Sequence, residues 1–331
     1  EYNPIVQQLF DKCDIEEESS KDLTFYFSEI KQIEAELDFN LNQVSFLLSD
    51  HSIKQIKVSF RQLVFASKLD EICKNGLHLL VQKKDIKTIE LCADFAKSTN
   101  IIQNFALELS FDIESVVGDC FKGKILNENN DSNPIRESID YLNLLNQICI
   151  SSFTNAEMKK TLQDYFKKGL NVLPDQAARM LAEEVNFRFL HLPSYTSKLK
   201  TEIQEHIGEG KSIEEVKKSI FDHLPFLKDL INIFRLITCK DVFEAYYHLY
   251  LSRRVFMLKA SVIQADEFFA SLLRETCGPE YTKRIDTIFH DLHHSSRALF
   301  EFQEEQTRLQ KVPPCYFKAL VLNQSSWITN V

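Results

Sequence analysis

The run "HDLHH", His290 to His294, is the densest group of metal-ligating side chains in the sequence. On a helix, His290 shares a face with His293 or His294, a spacing that two zinc ligands can use. A zinc site needs further ligands, and no second His or Cys cluster of matching pattern occurs. A solvated helix end is therefore the favoured reading. The eight cysteines, Cys13, Cys73, Cys92, Cys120, Cys149, Cys239, Cys277 and Cys315, form no CxxC pair. Most lie in apolar runs such as "LCADF" and "NQICISSF", which suits core thiols of a reducing compartment, without disulfides and without zinc. No GxGxxG, GxxxxGK[ST], GxSxG or HExxH is present, and the "GEG" at Gly208 to Gly210 lacks the strand that precedes a phosphate loop. These residues predict neither catalysis nor a bound cofactor.

A second candidate is "CKDVFEAYYHLYLSRRV", Cys239 to Val255, with its tyrosines and paired arginines. Nucleic-acid binders carry a basic domain or stripe. This chain has 39 basic and 48 acidic residues, interspersed, for a net charge of -9. At 3.6 residues per turn, Asp241, Glu244, His248 and Ser252 form one narrow polar stripe. Val242, Phe243, Tyr246, Tyr247, Leu249, Tyr250 and Leu251 occupy the rest of the circumference. So wide an apolar face predicts a helix buried among several neighbours. Asp241 and Glu244 read as N-cap and N3 of a capping box, and Arg253 and Arg254 as cations suited to the helix C-terminus.

The elements that position these residues are helices. Glycine (7) and proline (8) are scarce among 331 residues, against a usual share of about 12%, so turns are few. The 26 phenylalanines give long helices a core. No run of 18 apolar residues occurs, so no spanning helix is expected. From Leu23, Ile30, Ile33, Leu37, Leu41 and Val44 recur three or four apart. A second helix is expected over about 52–74, stopped by a left-handed Gly76. A third runs from Asp85 with Ile86, Ile89, Cys92 and Phe95 inward, and a fourth covers "IIQNFALELSFDIESVVGDCF". Gly123 to Pro134 reads as a linker, with Pro134 at the first helical position. Thr154 and Glu157 read as a capping box, Phe153 as a staple onto Met158, and Gly169 as the stop of that helix. Ser212 and Glu215 suggest another capping box after the polar break at "GEGKS". Helices continue to about residue 310, and "CYFKALVLNQSSW" after Pro313-Pro314 reads as a strand.

"KDVFEAYYHLYLSRRVFMLKAS" resembles the signature of the cullin family, ubiquitin-ligase scaffolds. Lys240, Asp241, Val242, Phe243, Glu244, Tyr246, Tyr247, Leu251, Arg254 and Ser261 carry the match. "LLRETCGPEYTKRIDTIFHDL" continues it through Leu273, Cys277, Gly278, Tyr281, Thr282, Arg284, Ile285, Asp286, Phe289 and Asp291. "FKALVLNQSSW" resembles the strand that opens the family's α/β subdomain, through Phe317, Val321, Leu322 and Trp327. Looser similarity covers "FSEIKQIEAELDFNLNQ", "GLHLLVQKKDIKTIELCADF" and "LLNQICISSFTNAEMKKTLQDYFKKGLN", so that the resemblance spans nearly all of 20–331. Val255 and Phe256, together with Asn323, Ser325 and Ile328, depart from the usual pattern and mark a divergent member.

The resemblance implies an all-α chain: an elongated array of cullin repeats, then a four-helix bundle, then the first strand of an α/β subdomain. It divides the chain into 1–122 (end of the second and start of the third repeat), 123–210 (rest of the third), 211–310 (bundle) and 311–331 (start of the α/β part). It implies a non-catalytic scaffold of a cytoplasmic or nuclear ubiquitin ligase, without cofactor, metal, nucleic-acid or membrane partner. The substrate adaptor would dock on a repeat before Glu1, and a ubiquitin-like modifier would be attached to a lysine after Val331. The RING-box protein would contact Phe317, Lys318, Ala319, Leu320, Val321, Leu322 and Trp327. A helical-rod tethering subunit of a membrane-trafficking complex is the rival reading.

Overall fold

The computed structural model describes residues 32–33, 35–43, 45–61, 76–98, 101–126, 133–153, 155–191, 224–257, 260–309, 319–323 and 327. Among them all regular structure is helical, as the shortage of glycine and proline predicts. The chain divides into two compact units, Glu1–Leu173 and Pro174–Val331.

The first unit opens with helical residues between 32 and 43, where Ile33 and Leu41 are buried as their periodicity predicts. Then come α1 (Asp50–Arg61), a helical stretch over 76–83, α2 (Ile86–Ser98), α3 (Ile102–Leu126), α4 (Pro134–Ser151) and α5 (Ala156–Leu170). Ile30 and Val44 lie outside the described residues, as does the expected end of the second helix. Gly76 is not a left-handed stop; it is buried within the 76–83 stretch. Lys84 takes the left-handed position instead, with φ 56°. Its amide donates to the Val81 carbonyl (3.1 Å), and that of Asp85 donates to the Leu80 carbonyl (3.1 Å), the pair of bonds of a Schellman cap. Asp85 then starts α2 by accepting from the Thr88 amide (3.3 Å) and hydroxyl (2.7 Å). Ile89, Cys92 and Phe95 of α2 face inward as expected.

α3 continues through Gly123 to Leu126, so the helix outlasts the expected start of the linker. Pro134 occupies the first turn of α4 as predicted, behind an Asn133 cap that accepts from the Ile135 amide at 3.0 Å. The cap of α5 is Asn155, whose side chain accepts from the Glu157 amide (2.9 Å); Thr154 lies outside the described residues. Gly169 does not stop α5, which runs on to Leu170 and is capped by Asn171. Gly169 instead marks the close crossing of α5 and α3: a Cβ built there would lie 2.6 Å from the Glu114 carbonyl oxygen. Phe121, Ile148, Phe166 and Leu170 are buried in the core of this unit.

The second unit holds α6 (Pro174–Leu190), α7 (Pro225–Leu236), α8 (Lys240–Met257), α9 (Ala260–Cys277) and α10 (Pro279–Arg308). α8 packs along α6 and touches α10. α9 pairs with α10, and α7 sits against α6 and α9. The expected "GEGKS" break and the Ser212 and Glu215 box lie outside the described residues. α10 starts with Gly278 at φ 90° and Pro279 in its first turn, a sharp reversal that only glycine adopts without strain. Residues 319–323 form neither helix nor paired strand. A strand exists only with a partner, and here the neighbour is a helix, as described below; Phe317 and Lys318 lie outside the described residues.

Candidate functional site

α8 is the helix that sequence alone marked as buried, and four helices of the second unit surround its apolar circumference. Phe243, Tyr247 and Leu251 have no exposed surface. Aromatic rings form a continuous run through five helices. Phe189 of α6 meets Phe269 of α9 (6.0 Å between centroids), and Phe269 meets Tyr247 (5.6 Å). Tyr247 stacks on Phe243 (5.7 Å), Phe243 meets Phe234 of α7 (4.9 Å), and Phe234 meets Tyr281 of α10 (6.0 Å). Such contacts add about 0.5–1.5 kcal/mol per pair beyond burial.

The polar stripe of α8 does not face water. Glu244, His248 and Ser252 are buried, while Asp241 is exposed. The Ser252 hydroxyl donates to the His248 carbonyl (2.8 Å) within the helix. Glu244 is not the N3 partner of a cap, because α8 starts at Lys240 and Asp241 already lies inside it. Its carboxylate meets Arg284 of α10 at 3.3 Å. Burial pushes the Glu244 carboxyl up, and Arg284 opposes the shift.

Arg254 is the centre of the site. Read from the sequence as a cation suited to the helix C-terminus, it is only 2% exposed. Its Nη2 lies 2.5 Å from Asp266 Oδ1 and its Nε donates to Asp266 Oδ2 (3.2 Å), a two-pronged contact between α8 and α9. Nη1 donates to Asn186 Oδ1 of α6 at 2.8 Å. The Tyr247 hydroxyl donates to Asp266 Oδ1 at 3.0 Å. The guanidinium lies over the rings of Phe189 (5.3 Å) and Tyr247 (5.5 Å). One side chain thus ties three helices. Burial pushes the Asp266 carboxyl up while Arg254 pulls against it, and burial raises the Tyr247 phenol further. Asp266, Asn186 and Phe189 were not anticipated.

The other signature residues serve the same interior. The Tyr281 hydroxyl donates to the Lys240 carbonyl (2.6 Å), joining the start of α10 to that of α8, and the Lys240 ammonium lies over Phe234. Thr282 is buried, donates to Asp286 Oδ2 (3.0 Å) and accepts from Arg274, which also pairs with Asp286 across the Gly278 turn beside Cys277. Phe289 is buried. Tyr246 stacks on Tyr250 (6.4 Å), and Arg179 of α6 lies over its ring.

Asp291 faces the tail. Its Oδ2 accepts from the Asn323 amide and from the Trp327 indole, both at 2.8 Å. One turn on, the Ser295 hydroxyl donates to the Val321 carbonyl (2.6 Å) and accepts from the Val321 amide (2.7 Å). Trp327 is buried, 5.4 Å from the Phe256 ring. Leu320 and Val321 remain exposed, and Ala319 and Leu322 half-buried. Ser295 was missed because a lone serine on a helix carries no signal.

The histidines of "HDLHH" stand in the middle of α10 rather than at its end. His293 meets Glu267 of α9 at 2.7 Å, and His290 and His294 stack at 6.4 Å. Among the described residues no three His, Cys, Asp or Glu side chains converge as a metal set. Nor is any helix there long and apolar enough to cross a membrane. Cys92 and Cys149 are buried, and Cys120, Cys239 and Cys277 are half-buried.

The sequence is similar to those of known proteins. The family model for the cullin alpha solenoid domain matches residues 15–298. Cullin-4 of Schizosaccharomyces pombe is 23% identical over 283 residues, 83% of this chain and 34% of that protein. Cullin-3 of Dictyostelium discoideum is 25% identical over 309 residues, 91% of this chain and 36% of its own length. Cullin-1 of Schizosaccharomyces pombe reaches 34% over 102 residues, 30% of this chain and 13% of its own. The chain spans about a third of the length of the first two.

Proposed function

The chain belongs to the cullin family, and from that premise we propose that it is a non-catalytic segment of the rigid scaffold of a cullin-RING ubiquitin ligase. In this reading the scaffold holds a substrate-receptor module and a RING protein, with its ubiquitin-conjugating enzyme, at a fixed separation. The observation that carries it is the use of the signature residues: Arg254, Tyr247, Phe243 and Tyr281 are spent on joining helices.

A scaffold acts by proximity, which converts an encounter in solution into one at high effective concentration. That gain survives only if the holding element does not bend. The buried Arg254 fork, the aromatic run and the Thr282–Asp286 turn each restrict motion of one helix against the next within the second unit. The segments 1–122 and 123–210 serve in this proposal as cullin repeats, 211–310 as the bundle and 311–331 as the start of the α/β part. The adaptor and the modified lysine lie elsewhere in the full-length protein, which works in the cytoplasm or nucleus. The RING-box protein meets the tail around Leu320 and Val321.

The test is reconstitution with the full-length protein. It should co-purify with a RING-box protein and accelerate ubiquitin discharge from a charged conjugating enzyme onto a receptor-bound substrate. An Arg254→Ala protein should keep RING-box binding yet lose substrate ubiquitination more than unanchored chain formation. If the wild-type protein captures no RING-box protein, the proposal fails.

A further inference from the structure

The three histidines of α10 differ in what holds them. His293 is tied to Glu267 of α9, its Nε2 2.7 Å from the carboxylate. His290 and His294 are both exposed. Among the described residues no hydrogen bond holds either ring. Asp291 Oδ1 stays 3.9 Å from His290 Nδ1, beyond hydrogen-bond reach, and His294 meets the His290 ring. The two rings sit one helical turn apart, inclined by 23°, with centroids separated by 6.4 Å. Their backbone is not a fraying end. Ile285, Ile288, Phe289 and Leu292 are buried on the opposite side of the same turns, so the spacing is fixed before any ligand arrives. Two turns before and after His290, the same face carries Lys283 and Arg297. Each is paired with a carboxylate, Glu280 at 3.7 Å and Glu301 at 3.0 Å, so neither stands as an unpaired charge against a positive ligand.

We propose that His290 and His294 form a two-imidazole chelate on the outer face of α10 for a borderline divalent transition-metal ion, Cu2+ ahead of Ni2+ and Zn2+, with water completing the coordination. A closed zinc site takes four protein ligands, and among the described residues no third side chain joins this pair. A tetragonal ion does not need one: two imidazoles occupy neighbouring corners of Cu2+ while water fills the rest. Metal–nitrogen bonds of about 2.0–2.1 Å require the rings to close by roughly 1–2 Å, a rotation open to side chains in solvent. The second imidazole meets an ion that the first already holds, so the pair has an effective concentration that a lone histidine lacks. Imidazole nitrogen favours Cu2+ over Ni2+ and Zn2+, whereas Mg2+ and Ca2+ take oxygen ligands. The bond from His293 to Glu267 decides between the two pairings that the sequence left open.

The experiment is titration of the 331-residue chain with CuCl2. Trp327 is the single tryptophan, and its indole is bonded to Asp291, the residue after His290, so paramagnetic Cu2+ held on this turn quenches its emission. At substoichiometric Cu2+ the electron paramagnetic resonance spectrum should show two coordinated nitrogens. Ni2+ and Zn2+ should restore the emission at higher concentration, and Mg2+ should not. His290→Ala and His294→Ala should each raise the quenching midpoint at least about tenfold, while His293→Ala leaves it in place. All three positions are exposed, so the fold tolerates each change. An unchanged midpoint in both His290→Ala and His294→Ala, or a single coordinated nitrogen in the wild-type spectrum, would overturn the chelate. An equal loss in His293→Ala would overturn the assignment to His290 and His294.

Discussion

Three glycines in the α3–α5 pair should respond to the same substitution in three different ways. At Gly169 an added Cβ would lie 2.6 Å from the Glu114 carbonyl oxygen and 3.0 Å from its Cα. Both are backbone atoms, about 1 Å short of a favourable separation, so the two helices must part. Overpacking of this kind costs about 1–3 kcal/mol, at times more. Alanine recovers up to about 1 kcal/mol of helix propensity, which leaves Gly169→Ala about 2 kcal/mol destabilised. At Gly118 the Cβ meets the Val172 methyl at 3.1 Å. Val172 is 38% exposed and can rotate away, so Gly118→Ala should be near neutral. At Gly123 nothing lies within 4 Å, and propensity alone should stabilise Gly123→Ala by about 0.5–1 kcal/mol. Hydrogen exchange by mass spectrometry on peptides from 102–126 and 156–170, paired with urea unfolding followed by far-ultraviolet dichroism, reads all three. The reasoning is refuted if Gly169→Ala stabilises α5 as Gly123→Ala stabilises α3, because the close crossing would then not exist.

Three further outcomes are expected. Arg254→Met leaves Asp266 buried without its fork and should cost about 3–5 kcal/mol in urea unfolding, while adding Asp266→Leu should recover more than half of it; no recovery would mean that shape rather than charge pairing matters there. Gly278→Ala meets no atom within 4 Å, yet φ 90° strains any side-chain-bearing residue, so a loss of about 1–3 kcal/mol should appear as a lower melting temperature of the second unit. Asp112, beside His78 at 3.5 Å, has its carboxyl pushed by burial from 3.8 up to about 6. The folded state then holds a proton that the unfolded state releases, so this group's contribution is fully present below its unfolded value and falls as pH rises through about 6. Asp112→Asn should flatten that slope in urea midpoints measured between pH 4 and 7, and an unchanged slope would assign it elsewhere.

What the sequence could and could not show divides by distance along the chain. Periodicity and caps act within four residues, so the helices, the buried face of α2 and Pro134 at the start of α4 were legible. Partners farther off were not. Arg254 reads as a helix-end cation until Asp266, 12 residues on, and Asn186, 68 residues back, come to meet it. The polar stripe of α8 is visible in the sequence but its partners are not, because Glu244 finds Arg284 only 40 residues later. Gly169 reads as a stop because glycine serves both as a left-handed cap and as a point of close approach, and only the position of α3 distinguishes the two. The tail shows the same ambiguity from the other side. Its β-branched, aromatic pattern predicts a strand, but pattern encodes only a willingness to pair. The pairing partner is one turn of α10, whose Asp291 and Ser295 offer hydrogen bonds at a strand's spacing without being one. A sequence signature that includes Asp291 and Trp327 therefore records a contact between helix and tail, and the cluster of signature positions in α8 records the joint that holds that helix still.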